Sequence, residues 1–253
     1  MRTEHHQAEV LDKLRRDEPV EFVIPETTTY ANPSTALQLE DVLAFEGVRL
    51  PSVKSPFNYR GAQVDTRSKR LLPFESKVED NAATIFQAMH EIVEIRPQAV
   101  VLKWVAANGE RKKHIIDFLL RTGSGKTILV AAKPILKLIE TNLIGLLLSV
   151  SERGLDGVAD AVTFVTEKFA SDEAAFNADQ ILLARRVRNE REYEIALDLL
   201  KNIRGQVRFR DLLATAEIRA HRRTAIWNLI DEGRLQPVST GRIEDDAILT
   251  AIN

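Results

Sequence analysis

Three polar residues in the middle of the chain combine types that can do chemistry together. Glu79 lies near the start of a predicted helix, Asp117 lies inside an apolar run, and Lys133 closes the next such run. Magnesium prefers oxygen ligands, so two carboxylates can hold it, while a lysine can offset phosphoryl charge or orient a water. If the fold brings them together, these residues predict a magnesium site that acts on a phosphate.

A helix and two neighbouring strands are needed to position these residues. Residues 99–106, 113–120 and 127–133 read as three β-rich runs separated by turn-like linkers. Helical spacing returns over 134–154, and 160–169 is one more strand candidate. The core order is therefore predicted to be α-β-β-β-α-β. Its first helix is indicated by apolar residues at helical spacing, namely Val78, Ala82, Ile85, Phe86 and Met89.

The linker at 123–127 reads Gly-Ser-Gly-Lys-Thr and so resembles the end of a nucleotide-binding P-loop. A P-loop needs another glycine five positions before its Gly-Lys-Thr glycine, and it runs directly into a helix. Leu120 occupies that position, and a strand candidate follows Thr127. Because glycines tolerate positive φ, we expect a hairpin turn here. Nucleotide binding is a third hypothesis that rests on this pentapeptide alone.

Several of these runs together resemble a known protein family. In order and spacing they are similar to TnsA, the endonuclease subunit of heteromeric cut-and-paste transposases, over about residues 55–190. The resemblance implies an α/β fold with a restriction-endonuclease-like core, in which helices flank a mixed central sheet, followed by a helical winged-helix-like C-terminal domain. It rests on the runs "PFESKVEDNAATIFQAMHEIVEIRPQ", "HIIDFLL", "VAAKP" and "TFVTEKFASDEAAFNADQILLARR".

Carried over residue by residue, the resemblance implies a nuclease site of the PD-(D/E)xK kind. Glu79, Asp117 and Lys133 would be catalytic, and Gln98 would match a glutamine of the family. The metal, Mg²⁺ with Mn²⁺ as a substitute, would be held by Glu79, Asp117 and the backbone carbonyl of Ala132. The implied activity is cleavage at the 5′ ends of a transposon, while a separate DDE transposase cuts the 3′ ends.

One residue departs from the pattern of the family. Ala131 stands where the family has Glu or Gln two residues before the lysine, so the sequence has a vacant ligand position there. An engineered substitution, a ligand moved to Glu75 or Glu140, and a natural pseudo-nuclease are all compatible with this departure. The alternative function is therefore a catalytically degenerate nuclease fold that binds DNA and partner proteins.

Each site residue also has an ordinary structural interpretation. Glu79 could complement the dipole of its helix, and Lys133 could be a solvated residue at a strand end. Gln98 is more typical of a hydrogen-bonded structural residue than of a ligand. Asp117 is harder to explain in this way, because an aspartate among β-forming residues is unfavourable without a partner or a metal.

The C-terminal part of the chain has a local excess of positive charge. From Arg185 to Arg223 there are eleven Lys and Arg against six Asp and Glu. The run from Gly205 to Val238 then predicts a strand, two helices and a hairpin wing, as in a winged helix. Phosphate contacts are expected from residues that precede or open the second helix, namely Arg219, Arg222 and Arg223. Docking of a protein partner is the alternative for this part.

The composition of the chain excludes some kinds of site and predicts where the protein is found. The chain has 253 residues, a formal net charge of −2 and no Cys, so disulfides and thiolate metal sites are excluded. A polar start and the lack of a long apolar run predict a cytoplasmic protein without membrane contact. The expected organisation is an N-terminal arm over 1–65, a nuclease domain over 66–185 and a winged-helix-like domain over 186–253. Double-stranded DNA, a DDE transposase and an AAA+ ATPase regulator are the partners that the resemblance implies.

Overall fold

A computed structural model describes residues 2–16, 18–20, 38–41, 59–105, 109–155 and 157–252. Two compact units make up the chain. The first comprises residues 1–83 and 90–170, and the second comprises residues 84–89 and 171–253. Within the described ranges, no helix is both long and apolar enough to cross a membrane. Much of the predicted N-terminal arm over 1–65, including residues 21–37 and 42–58, lies outside the described residues.

The first unit contains a central mixed sheet flanked by helices. Its strands are β1 (Gln38–Asp41), β2 (Gly61–Val64), β3 (Leu71–Phe74), β4 (Ile92–Val105), β5 (Arg111–Thr122), β6 (Thr127–Ala132) and β7 (Ala161–Val165). The sheet order is β1-β4-β5-β6-β7, with β7 parallel to β6 and the other neighbours antiparallel. Strands β2 and β3 form a separate antiparallel pair. The predicted succession of three antiparallel strands is therefore confirmed, and β1 adds an edge strand from the predicted arm.

The helices here are α1 (Arg2–Arg15), α2 (Lys77–Ala88), α3 (Ile135–Glu140) and α4 (Leu143–Arg153). The amphipathic helix predicted around Val78 is confirmed as α2. The helical run predicted over 134–154 is instead divided between α3 and α4, because Asn142 adopts a left-handed conformation with φ of 49°. Apolar residues of the sheet, α3 and α4 form one buried cluster, whose fully buried members include Leu102, Ile116, Leu129 and Leu138.

Strand β4 begins earlier than the sequence predicts. We expected a strand from Ala99, whereas β4 starts at Ile92 and runs through Pro97. Proline lacks the N–H that a continuous strand ladder needs, so it is tolerated in strands at edges and bulges. The register between β4 and β5 shifts between Pro97 and Val100, and Gln98 in this irregularity has φ of 50°. A bulge therefore accommodates the residue that made the strand difficult to predict.

The second unit is a small α/β assembly. Its elements are α5 (Asp172–Arg186), α6 (Glu190–Leu200), β8 (Gln206–Arg208), α7 (Phe209–Leu212), α8 (Arg219–Asp231), β9 (Leu235–Pro237) and β10 (Ile248–Ala251). Strand β10 lies between β8 and β9 in an antiparallel sheet. Trp227 and Phe209 are at the centre of its buried cluster, which also holds Leu229 and Leu249. Helix α5, which we expected in the first domain, belongs to this unit and packs against α8.

Candidate functional site

The first residue of the candidate site is fixed by the start of α2. The Glu79 N–H donates to the Ser76 hydroxyl oxygen at 3.2 Å, and that hydroxyl donates to the Glu79 carboxylate at 3.1 Å. The Glu75 N–H donates to the other carboxylate oxygen at 2.8 Å. The Ser76 hydroxyl thus caps the Glu79 N–H, which the helix cannot pair itself. The Glu79 carboxylate lies in the first turn of α2, where it can complement the helix dipole as its ordinary interpretation predicts.

The acid that follows Glu79 faces other partners. Asp80 accepts hydrogen bonds from the Tyr59 hydroxyl at 2.6 Å and from the Gln63 side-chain amide at 2.5 Å. Two consecutive carboxylates therefore have separate roles at the start of α2. Asp80 ties the helix to residues around β2, while Glu79 is buried, with 4% of its surface exposed.

Strands β5 and β6 bring the other two predicted residues to Glu79. Lys133 follows the last residue of β6, and its ammonium lies 2.9 Å from Asp117 Oδ1 and 3.2 Å from Glu79 Oε1. The second oxygen of Asp117 accepts a hydrogen bond from the Ala132 N–H at 2.8 Å. One ammonium thus joins two carboxylates from a helix and a strand. The fold therefore brings Glu79, Asp117 and Lys133 together, which is the condition for the site predicted from the sequence.

Burial and charge perturb the protonation of this cluster. Burial raises the pKa of Asp117 to about 6, and the negative charge of Glu79 adds to the rise, although Lys133 opposes it. Burial acts to lower the pKa of the Lys133 ammonium, but the two carboxylates outweigh burial and raise that pKa above its ordinary value. Lys133 is therefore protonated at neutral pH, and one positive charge faces two acids.

The position that the family fills with Glu or Gln lies in the apolar interior. Ala131 has no exposed surface and belongs to the cluster that contains Leu129 and Leu138. A carboxylate placed there would have to leave water among apolar side chains, which costs several kcal/mol for an unpaired charge. The alanine fits its surroundings as a packing residue.

No third acid completes a metal site among the residues that the structure describes, because no group of three or more His, Asp or Glu is placed to hold a metal ion. Glu140 forms an exposed ion pair with Lys137 at 2.6 Å, and the Glu75 side chain is exposed. None of the described hydrogen bonds joins Gln98 to the cluster. The two carboxylates, with the backbone carbonyl of Ala132 as a candidate, are the available protein ligands.

His114, which the sequence pattern did not single out, lies close enough to Lys133 for the ammonium to affect its pKa. His114 is half-buried on β5, and burial together with the positive charge of Lys133 lowers its pKa to about 4. Its Nε2 atom is buried and has no hydrogen-bond partner among the described residues. His114 is therefore neutral at physiological pH. Its position three residues before Asp117 in the same strand was the sequence signal that could have pointed to it.

The Gly-Ser-Gly-Lys-Thr run forms a hairpin turn. The Thr122 N–H donates to the Lys126 carbonyl at 2.8 Å, and Gly125 has φ of +86°, a conformation that favours glycine. Thr127 begins β6 and pairs with Arg121 of β5. The hairpin prediction is confirmed, and the helix that a P-loop requires after Thr127 is replaced by a strand.

The three arginines predicted to contact phosphates lie in very different environments. Arg222 is 2% exposed, and its guanidinium is bound to Glu192 at 2.7 Å and to the Leu212 carbonyl at 3.3 Å. The predicted phosphate contact of Arg222 is therefore wrong, because this side chain stabilises the interior. Arg223 forms an ion pair with Asp245 at 2.6 Å and lies over the Phe209 ring. Arg219 is exposed at the first position of α8.

No protein-family model matches this chain, and no curated protein matches its sequence. The first unit has a mixed α/β fold, in which helices flank a central sheet. The contacts of Glu79, Asp117 and Lys133 are the feature of this unit that bears on function.

Proposed function

We propose that this protein is a metal-dependent DNA endonuclease that serves as the cleaving subunit of a heteromeric, TnsA-like transposase. The observation that carries the proposal is the convergence of Glu79, Asp117 and Lys133 in one buried cluster. Glu79 and Asp117 are 38 positions apart along the chain and Asp117 and Lys133 are 16 apart, so only the tertiary fold joins them. Strongly perturbed acids with a specific charge partner are typical of functional sites.

The donor set of the cluster suits a hard divalent cation. Glu79 Oε1 and Asp117 Oδ1 both face the Lys133 ammonium, so both oxygens can reach a single cation beside it. The opposite oxygen of each carboxylate is held by a backbone N–H, from Glu75 and Ala132 respectively. Such hydrogen bonds orient ligating carboxylates. Mg²⁺ commonly binds through one or two carboxylates and retains several waters, so two acids are sufficient.

The proposed reaction is hydrolysis of a phosphodiester. The oxygen of a water forms a bond to phosphorus, the bond from phosphorus to one ester oxygen breaks, and a proton passes to that leaving oxygen. When bound, the cation would lower the pKa of the water and offset the charge of the phosphate oxygens. Glu79 and Asp117 would hold it, and the Lys133 ammonium would donate a hydrogen bond to the attacking water or to a non-bridging oxygen.

The second unit supports a proposal of partner docking more than one of base reading. The order α6-β8-α7-α8-β9-β10 is compatible with the winged helix expected from the sequence, in which α8 would enter the major groove. Residues 225–229 of α8 are all buried, however, and the loop between β9 and β10 carries three consecutive acids, Glu244 to Asp246. Buried side chains cannot read bases, and acids repel phosphates. We therefore assign this unit to contact with the DDE transposase or the AAA+ ATPase.

A comparison of neighbouring acid variants tests the endonuclease. Asp117→Asn and Glu79→Gln each remove one charge from the cluster, whereas Asp80→Asn removes a charge from the same helical turn outside it. We expect the wild type and Asp80→Asn to bind Mn²⁺ and to nick duplex DNA in the presence of the transposase partner. We expect Asp117→Asn and Glu79→Gln to lose nicking and to bind Mn²⁺ at least about tenfold more weakly.

Calorimetric titration with Mn²⁺ provides a measurement that does not depend on cleavage. Nicking that survives Asp117→Asn would contradict the proposal, because a contaminating nuclease ignores this residue. If the wild type binds neither Mn²⁺ nor Mg²⁺ in the complete assembly, the alternative function is favoured, in which a degenerate nuclease fold binds DNA and partners. The observation that favours this alternative is the apolar environment of Ala131, which leaves the cluster with two acids.

A further inference from the structure

The free end of the β4–β5 hairpin concentrates positive charge. Lys103 of β4 is directly opposite Lys113 of β5, and Arg111 lies two residues further toward the hairpin end, opposite Val105. Arg111, Lys112 and Lys113 are all exposed. Like charges directly opposite each other destabilise an antiparallel pair, so this register is unfavourable for the isolated hairpin.

Strand alternation places these basic residues on the same side of the sheet as Asp117. Leu102 and Ile116 belong to the buried cluster of the first unit, and Trp104 packs against it. Successive side chains of a strand point to opposite faces. Lys103, which lies between Leu102 and Trp104, and Lys113 opposite it therefore project from the other face. Asp117 lies four residues after Lys113 in β5, so alternation puts these two side chains on the same face, where Asp117 meets Glu79 and Lys133.

The spacing along β5 matches the spacing of phosphates in DNA. Lys113 and Arg111 precede Asp117 by four and six residues, which corresponds to about 13 and about 20 Å along a strand. Each strand of duplex DNA carries one phosphate per about 3.4 Å of helix axis, so about 20 Å along the axis spans about six of them. A duplex with one phosphate at Asp117 therefore brings others within reach of Lys113 and Arg111.

Two basic residues at the hairpin end, Arg111 and Lys113, are exposed on β5. Lys112 lies 3.7 Å from Glu110, whereas no described carboxylate forms an ion pair with Arg111 or Lys113. In the second unit, the arginines at 185, 188, 210, 222, 223 and 234 each form an ion pair with an acid. Those at 186, 191, 204, 208 and 219 are exposed and form no ion pair with a described acid, so both units carry available positive charge.

From this surface we infer that Arg111 and Lys113 bind the phosphate backbone of duplex DNA beside the proposed cleavage site. The inference rests on the proposed function, because it puts the phosphate to be cut at Asp117. Duplex DNA is favoured over single strands, since single-strand binding uses exposed aromatic rings for stacking and Trp104 packs against the core. A two-stranded ribbon also fits the major groove, which is about 12 Å wide.

The test compares two double variants with the same change in charge. Arg111→Gln with Lys113→Gln removes the proposed contacts, and Lys137→Gln with Lys201→Gln removes two exposed lysines that are paired with Glu140 and Asp198. Binding of a fluorescent duplex is measured by anisotropy over a range of salt, without divalent cations. We expect the first variant to flatten the slope of log affinity against log salt by about 1.8, about 0.9 for each lost phosphate contact. We expect the control to keep the wild-type slope.

Three outcomes would overturn this inference, provided that circular dichroism shows intact folding. They are an unchanged slope in the hairpin variant, an equal change in the control, and stronger binding to a single strand or to an acidic protein than to the duplex. Nicking assays on the wild type and on Asp117→Asn, run beside the duplex titrations, distinguish the failure of one proposal from the failure of the other. If the hairpin variant loses duplex affinity while no preparation nicks DNA, the DNA surface stands and the endonuclease proposal fails.

Discussion

Acids and basic residues meet in both units of this protein, but the balance between them is opposite. In the first unit, Asp117 shares the Lys133 ammonium with Glu79, and its pKa is raised to about 6 by burial and by the second acid. In the second unit, Glu232 receives hydrogen bonds from Arg188 and Tyr193. Burial acts to raise the pKa of Glu232 as well, but these donors outweigh it and lower that pKa.

The two carboxylates differ in how many donors stabilise their charge. Asp117 shares one ammonium with a second acid, as in a candidate site, whereas Glu232 has donors of its own, as in a structural ion pair. A carboxylate with a raised pKa is held in an environment that disfavours its charge, so an added cation is stabilising there. A carboxylate with a lowered pKa already has its partners, and an added cation gains little. Three changes test this comparison, in order of decreasing expected effect.

The largest effect is expected from the buried arginine of the second unit. Replacing Arg222 with Met leaves Glu192 without its cation in the interior, and breaking such a pair costs about 3 to 5 kcal/mol in the free energy of unfolding. Arg223→Met is the matched control, since Arg223 is partly exposed and its pair with Asp245 is worth about 1 kcal/mol or less. Denaturant titration followed by the fluorescence of Trp227 measures both. Equal costs would show that the burial of Arg222 does not matter.

The second effect is a pH dependence that originates from Asp117. A pKa raised from 3.8 to about 6 means that the folded protein holds this proton more strongly than the unfolded chain does. The associated stability is therefore complete below about pH 4 and is lost as the pH rises to about 6, by at most about 3 kcal/mol. We expect the free energy of unfolding of the wild type to fall over this window relative to that of Asp117→Asn. A constant difference between the two curves from about pH 4 to pH 7 would assign the titration to another group.

The third effect concerns replacement of the ammonium by a metal ion. Lys133→Met leaves Glu79 and Asp117 facing each other, and we expect it to lower the free energy of unfolding by about 2 kcal/mol at neutral pH. Mn²⁺ at about a hundred times its dissociation constant should restore about 2.7 kcal/mol. Lys137→Met, which removes an exposed lysine paired with Glu140, should show neither change. Thermal unfolding with Mn²⁺ or with a chelator measures the rescue, and a variant that Mn²⁺ does not restabilise would exclude a cation site.

Local sequence patterns predicted the elements around the candidate site well. The glycines of 123–125 predicted the turn, and apolar spacing predicted α2 and the strand that carries Asp117. Pro97 misled the prediction of β4, because a bulge that no local pattern announces accommodates it. The run over 134–154 reads as one helix, but the left-handed Asn142 divides it. These errors arise where the backbone departs from regular geometry.

Charge counting located the basic residues of the second unit but not their partners. Within the segment from Arg185 to Arg223, Arg222 pairs with Glu192 and Arg185 with Asp231, across 30 and 46 positions, whereas the arginines at 186, 191, 204, 208 and 219 are exposed. Composition adds charges along a segment, whereas solvent and phosphates meet only those that remain unpaired after folding. The exposed Arg111 and Lys113 at the start of β5 have no distinguishing pattern in the sequence.

The sequence by itself determined the local elements and the residue types of the candidate site, because helix capping, strand propensity and turn conformation depend on near neighbours. The Ser76 hydroxyl and Glu79, which lie three residues apart, exchange two hydrogen bonds at the start of α2, for example. Only the tertiary structure decided which charges meet, since the Lys133 ammonium reaches Glu79 across 54 positions of the chain. It also decided that Arg222 is interior and that Ala131 lies among apolar side chains. Burial and long-range pairing depend on the packing of whole elements, which no short window of sequence contains.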